Sequence, residues 1–251
     1  MLIASNRMIS SEHTSKQFDS ELEALRSRVL QMGGLVESQI RLALESLANG
    51  DFALMNRVIA DDHRVNAIEV EIDENCNQII ACRQPAAGDL RMVMTMIKTI
   101  TDLERIGDEA KKIARMAKLL SQRGQLILPR YNEIKHAAEL ALDMLCKSLD
   151  AFARLDLSTA AQIVRQDEQV NEEYLSILRH LIIYMMEDPR TISNALEVLF
   201  IAKAIERIGD HAKNMSEYVV YMIKGRNVRH VTVEEIEREV LEPAKLSSDT
   251  N

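Results

Sequence analysis

Residues that make turns are scarce in this chain. Eight glycines and four prolines in 251 residues leave few positions for tight turns, which argues against any fold built from many short strands. Long helices remain. The three cysteines, Cys76, Cys82 and Cys146, lie within helical patterns without the Cys-x-x-Cys pairing of a zinc or redox site, so they read as small buried hydrophobes in a reducing compartment. No uninterrupted apolar run of about 18 residues occurs, and Met1 to Gln17 has no apolar core of signal-peptide length. A cytoplasmic location is expected. The net charge of −8 is spread along the chain, giving no electrostatic grip on nucleic acid phosphates. Catalytic patterns are missing as well. There is no Gly-rich phosphate loop and no Ser/His/Asp order, and the Glu-x-x-His of a di-iron oxidase occurs once, at Glu133 and His136.

Helical periodicity is what the chain has in abundance. Leu22, Leu25, Val29, Met32, Val36, Ile40, Ala43 and Leu47 recur at steps of three and four, predicting a first helix over 14–48. Asn49-Gly50-Asp51 ends it, and Asp51 is placed to cap a second helix over 52–83. There Val58, Val65, Ile72 and Ile79 stand a heptad apart, the spacing of helices packed at a shallow angle. Pro85-Ala86-Ala87-Gly88-Asp89 is expected to separate it from a third helix over 90–120. Ser121 to Pro129 interrupts the pattern, and three more helices are expected over 131–154, 157–186 and 190–223. The organisation predicted is a mobile tail over 1–14, a three-helix bundle over 15–121 and another over 130–225. A short amphipathic helix around Val233 to Leu241 then falls within a last segment over 226–251. The fold class is all-α: two tandem, pseudo-symmetric antiparallel three-helix bundles.

The second half repeats the first in detail. Asp51 corresponds to Asp156, Asp62-x-x-Val65-Asn66 to Asp167-x-x-Val170-Asn171, and Pro85 to Pro189. Glu104-Arg105-Ile106-Gly107-Asp108 returns as Glu206-Arg207-Ile208-Gly209-Asp210. On the third helix Leu103, Ile106, Ala110, Ile113 and Ala117 form one stripe, and Glu104, Asp108 and Lys111 lie nearly opposite; the sixth helix does the same. These carboxylates are expected to face out of their own bundle. Two acids at i and i+4 repel by a few tenths of a kcal/mol, and an interior glycine costs about 1 kcal/mol relative to alanine. Such penalties, duplicated, suit an oxygen-rich cation site, with Gly107 and Gly209 letting a helix or ligand approach.

If the second and third helices of each half are antiparallel neighbours, Asp62 and Asn66 would join Glu104 and Asp108. Asp167 and Asn171 would likewise join Glu206 and Asp210. Ordinary surface ion pairing, such as Asp108 with Lys111, is the stronger account of any single copy, and only the duplication sets the cation site level with it. His63 and His211 beside the motifs read as surface partners rather than ligands. The turn from Arg83 to Arg91, basic at both ends, is a weaker candidate contact.

The two Glu-Arg-Ile-Gly-Asp pentads carry a family resemblance. With them go Ile80-Ala81-Cys82-Arg83-Gln84-Pro85 before Asp89-Leu90-Arg91-Met92-Val93, and Tyr184-Met185-Met186-Glu187-Asp188 before Arg190-Thr191-Ile192. From about Phe18 to Leu241 the chain resembles the PhoU family, accessory proteins of phosphate-specific transport. The resemblance implies a cytoplasmic, non-enzymatic homodimer that negatively regulates phosphate uptake. It would link the ATPase subunit of the phosphate ABC transporter to the sensor histidine kinase of the phosphate-starvation response, and meet the membrane only through these partners. Metal ions (Mg, Mn, Zn or Fe) at Glu/Asp-x-x-x-Asp motifs are also implied, falling here on Glu104, Asp108, Glu206 and Asp210 with Asp62 and Asp167. The neutral Asn66 and Asn171 replace the acids of metal-rich members, which weakens a hard cation site. A metal-free helical scaffold and a carboxylate-bridged enzyme are the alternatives.

Overall fold

The computed structural model describes residues 16–124 and 129–228, together with Val231 and Glu235. The tail predicted over 1–14 and, apart from Glu235, the short helix predicted over 233–241 lie outside the described residues. Six long α-helices account for nearly everything described: α1 Lys16–Asn49, α2 Phe52–Arg83, α3 Ala87–Gln122, α4 Tyr131–Arg154, α5 Leu157–Glu187 and α6 Ile192–Lys224. A single 3₁₀ turn, Pro189–Thr191, precedes α6. Among the described residues there is no strand, and no helix is long and apolar enough to cross a membrane.

Local chemistry sets the helix limits. Asp51 Oδ1 accepts from the backbone N of Ala53 at 2.8 Å and of Leu54 at 3.2 Å, and Asp156 Oδ1 caps α5 through Ser158 and Thr159. Each aspartate satisfies donors that a helix start leaves orphaned. Gly50, at φ 65°, makes the left-handed turn that lets α2 follow α1 at once. One expected boundary moves: α3 starts at Ala87 rather than near Leu90, because Pro85 lies outside the helix and Gly88 and Asp89 fit its first turn.

Helices α1 to α3 form one antiparallel bundle and α4 to α6 a second. The most extensive contact among the described helices is between the halves, where α3 and α6 run antiparallel along each other; α1 also touches α4. Val29, Val36, Leu103, Ile106, Val198 and Ile205 belong to one continuous buried core. The halves are therefore fused rather than merely linked. Where α1 crosses α4, Gly33 is covered by Leu149; a Cβ there would lie 2.4 Å from Leu149 Cδ2.

Pseudo-symmetry breaks inside the bundles. Gly107 faces Gln39 and Val65, whereas Gly209 faces Met144 and Val170. Gln39 and Met144 are equivalent positions, but Gln39 is buried with neither amide atom hydrogen-bonded.

Candidate functional site

The duplicated carboxylates line two seams, α2 against α3 and α5 against α6. In the first seam Lys111 Nζ donates to Asp62 Oδ2 at 2.5 Å and to Asp108 Oδ1 at 3.4 Å. Asp62 is buried, Glu104 half-buried, and Asp108 and Asn66 exposed. In the second, Lys213 Nζ donates to Asp167 Oδ2 at 3.0 Å, and Asn171 Nδ2 donates to the same oxygen at 3.3 Å. Lys203 Nζ lies 2.5 Å from Glu206 Oε2.

The expectation that these acids point away from their bundles needs correction. Of the four pentad acids, Glu206 is buried and Glu104 and Asp210 are half-buried, leaving Asp108 as the exposed one. A helix wheel places each residue relative to its own helix's core stripe; it does not show that the neighbouring helix covers the flank of that stripe. Nor is either pentad glycine a ligand notch: a Cβ at Gly107 or Gly209 would meet side chains of the first and second helices of its own half at ordinary contact distance, 3.4 Å or more.

Crowding of like charges in partial burial perturbs the acids. Burial first, then the charges of Asp108, Glu69 and Asp62, holds Glu104 above the usual carboxylate range. Burial, then Glu206 and Asp167, pushes Asp210 up to about 6. The Asp62 hydrogen bond raises Lys111, which stays an ammonium. A protein-supplied cation thus sits in each seam.

That arrangement bears on metal. Among the described residues no three His, Cys, Asp or Glu side chains converge to hold an ion. Lys111 and Lys213 hold the place where a cation would bridge the two helices, so a divalent ion does not fit either seam unless its lysine moves. Asp62 Oδ1 in the first seam and Asp167 Oδ1 in the second are buried without a hydrogen bond.

Sequence reasoning misassigned His211. Rather than a surface partner, it is buried between the halves, its Nδ1 2.7 Å from Asp102 Oδ1, and Asn214 Nδ2 donates to the same oxygen at 3.4 Å. Arg207 Nε of the second pentad reaches Glu109 Oε1 across the same interface at 3.3 Å. Asp102 and Glu109 flank the first pentad, but helical spacing could not show that they face α6. His136 and Glu133, the single oxidase-like pair, turn outward to Glu173 and His180 on α5.

Two stretches of the chain, residues 29–117 and 134–219, each match the PhoU domain. The chain belongs to the PhoU family. The PhoU accessory protein of Escherichia coli strain K12 is 47% identical over 227 residues, 90% of this chain and 93% of that protein. The Pseudomonas putida PhoU homolog is 45% identical over 236 residues, 94% of this chain and 91% of that protein. Among solved structures, PhoU from Pseudomonas aeruginosa superposes with a TM-score of 0.81 at 45% identity, covering 84% of this chain and all of that one. The PhoU structure from Streptococcus pneumoniae gives a TM-score of 0.78 at 32% identity. Each half of the present chain is thus one PhoU domain, and the seams are the interiors of those domains' second and third helices. As a PhoU-type accessory protein the chain is not an enzyme.

Proposed function

We propose that this protein is a cytoplasmic negative regulator of phosphate uptake and of the phosphate-starvation response. In this reading it joins the ATPase subunit of the phosphate ABC transporter to the sensor histidine kinase, and acts as a homodimer. The carrying observation is the PhoU-domain match in both halves, together with a PhoU relative aligned over 94% of the chain. The seams support a docking role for their rims: Asp108 projects from the first, and Lys111 in that seam and Lys213 in the second neutralise the buried Asp62 and Asp167. Deleting the gene tests the regulatory reading. Phosphate-starvation genes should be expressed in phosphate-rich medium; persistent repression would sink it. Asp108→Ala, at an exposed position, should derepress the response without loss of helix content if this rim contacts a partner.

A second reading is favoured by the unpartnered Oδ1 atoms of Asp62 and Asp167. A divalent or iron ion (Mg, Mn, Zn or Fe) would take these oxygens by displacing the lysine of the seam, with Glu104, Asp108, Glu206 and Asp210 around it. Elemental analysis of protein purified without chelator decides between this and a metal-free scaffold. Stoichiometric metal retained by the native chain and lost on Asp62→Ala and Asp167→Ala supports the ion; none bound supports the scaffold.

A further inference from the structure

Where α6 ends, the chain turns back onto the body. Gly225 closes the helix at φ 72°, its N–H donating to the Tyr221 carbonyl at 2.8 Å, and Val228 shortly after it is buried in the core. A Cβ at Gly225 would lie 3.7 Å from the Arg91 guanidinium, so the chain leaves α6 beside the start of α3. Lys98 Nζ lies 5.6 Å over the Tyr218 ring and 5.3 Å over that of Tyr221. Residues 91–98 of α3 and 218–225 of α6 therefore run side by side as one strip.

The outer side of this strip is partly apolar. Leu90 and Met94 stand one turn apart on α3, in line with Lys98, and each is 39% exposed. The accessible charges of the strip are positive: Arg91, Lys98 and Lys224 are half-buried and Arg226 is exposed, whereas the acids Asp89 and Glu217 are buried. Away from Gly225 the balance reverses. Asp73 and Glu74 on α2 flank the strip, Glu168 offsets Arg165 on α5, and the pentad carboxylates follow toward the middle of the molecule. An acidic occupant is thereby held to the Gly225 end of the face.

The chain supplies such an occupant directly after this point. Val233, Ile236 and Val240 recur at i, i+3 and i+7, surrounded by Glu234, Glu235, Glu237 and Glu239, and Arg238 is the one base in that stretch. Glu235, on the side opposite the apolar stripe, is helical and exposed. At 1.5 Å per residue a helix over 233–241 is about 13 Å long, and the strip from Arg91 to Lys98 is about 10 Å. The lengths match. Residues 229–232 tether the stretch to the buried Val228, which gives it a roughly millimolar local concentration that a second copy or a free partner would have to exceed. We infer that residues 233–241 fold back as an amphipathic helix onto the α3–α6 strip, covering Leu90 and Met94 and setting carboxylates against Arg91 and Lys98. The chain's own end then closes the junction of the two halves on this side. This inference does not depend on the regulatory reading.

The test is amide hydrogen exchange of the full chain, read over 229–241 and compared with a synthetic peptide of residues 229–251 alone. Those amides should exchange at least about tenfold more slowly in the chain than in the free peptide. Leu90→Asp with Met94→Asp, at exposed positions, should return them to the free-peptide rate with helix content by circular dichroism unchanged. Lys98→Glu should speed them at least about threefold, and this second variant keeps the location decisive if the double one misfolds. Free-peptide rates in the native chain overturn the inference. So does slow exchange that neither α3 variant alters, or slow exchange that is lost on about a hundredfold dilution, which would assign the segment to a second copy.

Discussion

His211 Nδ1 donates to Asp102 Oδ1 at 2.7 Å in the buried interface between α6 and α3. This contact spans 109 residues of sequence, and both of its side chains are buried. It lies beside both pentads, so it couples the two repeats at the level of their seams. Its pseudo-symmetric counterpart would pair Glu109 with Ala204; Glu109 turns to Arg207 instead.

Removing one partner of this link strands the other. His211→Ala leaves the buried Asp102 carboxylate with only the longer bond from Asn214, and should cost about 2 to 3 kcal/mol in urea unfolding. Adding Asp102→Ala, which copies the counterpart residue Ala204, should restore part of that loss. Strictly additive losses would show that the two side chains do not act as a unit.

Lys111→Met deletes the ammonium that Asp62 and Asp108 share. Asp62 is then buried with neither oxygen compensated, and a loss of roughly 2 to 3 kcal/mol is expected. The double change Lys111→Met with Asp62→Leu should regain much of it, because an apolar pair of similar volume avoids the desolvation of both charges. Thermal unfolding of the three variants measures this.

Asp210 makes the second seam sensitive to pH. Its carboxyl is raised from 3.8 to about 6 in the folded protein, so the folded state holds the proton more tightly than the unfolded one. This stabilising contribution is complete below about pH 4 and is lost as pH rises through 6. Asp210→Asn should therefore raise the melting temperature at pH 8 relative to the parent, with the difference shrinking toward pH 4.5. A pH-independent difference would contradict the assignment.

Gln39 is a defect that the second half lacks. Its amide is buried and unpaired, and the equivalent residue is Met144. Gln39→Met should stabilise the chain by about 1 to 2 kcal/mol, the cost of an unsatisfied buried amide, as read from the urea midpoint at constant m-value.

Much of this protein was legible along the chain because helices are periodic and capped by local chemistry. The heptad of Val58, Val65, Ile72 and Ile79 is buried as a row, and Asp51 and Asp156 cap the helices they precede. The repeated pentad located two related seams, since a duplicated unit carries its contacts with it. The side of a helix that a second helix will cover is a different matter. It depends on residues far apart in sequence, and that is why Glu206, which a wheel turns outward, is buried in its seam.

From its own spacing and composition the sequence determined six helices, their limits to within a few residues, and their division into two like halves, because each of those features is settled within a few helical turns. Tertiary structure alone decided that α3 and α6 would lie face to face, that His211 would be sealed against Asp102, and that a lysine would hold the place between the carboxylates of each seam. Those outcomes arise where separate helices meet, and burial there is shared between surfaces that no single helix's periodicity contains.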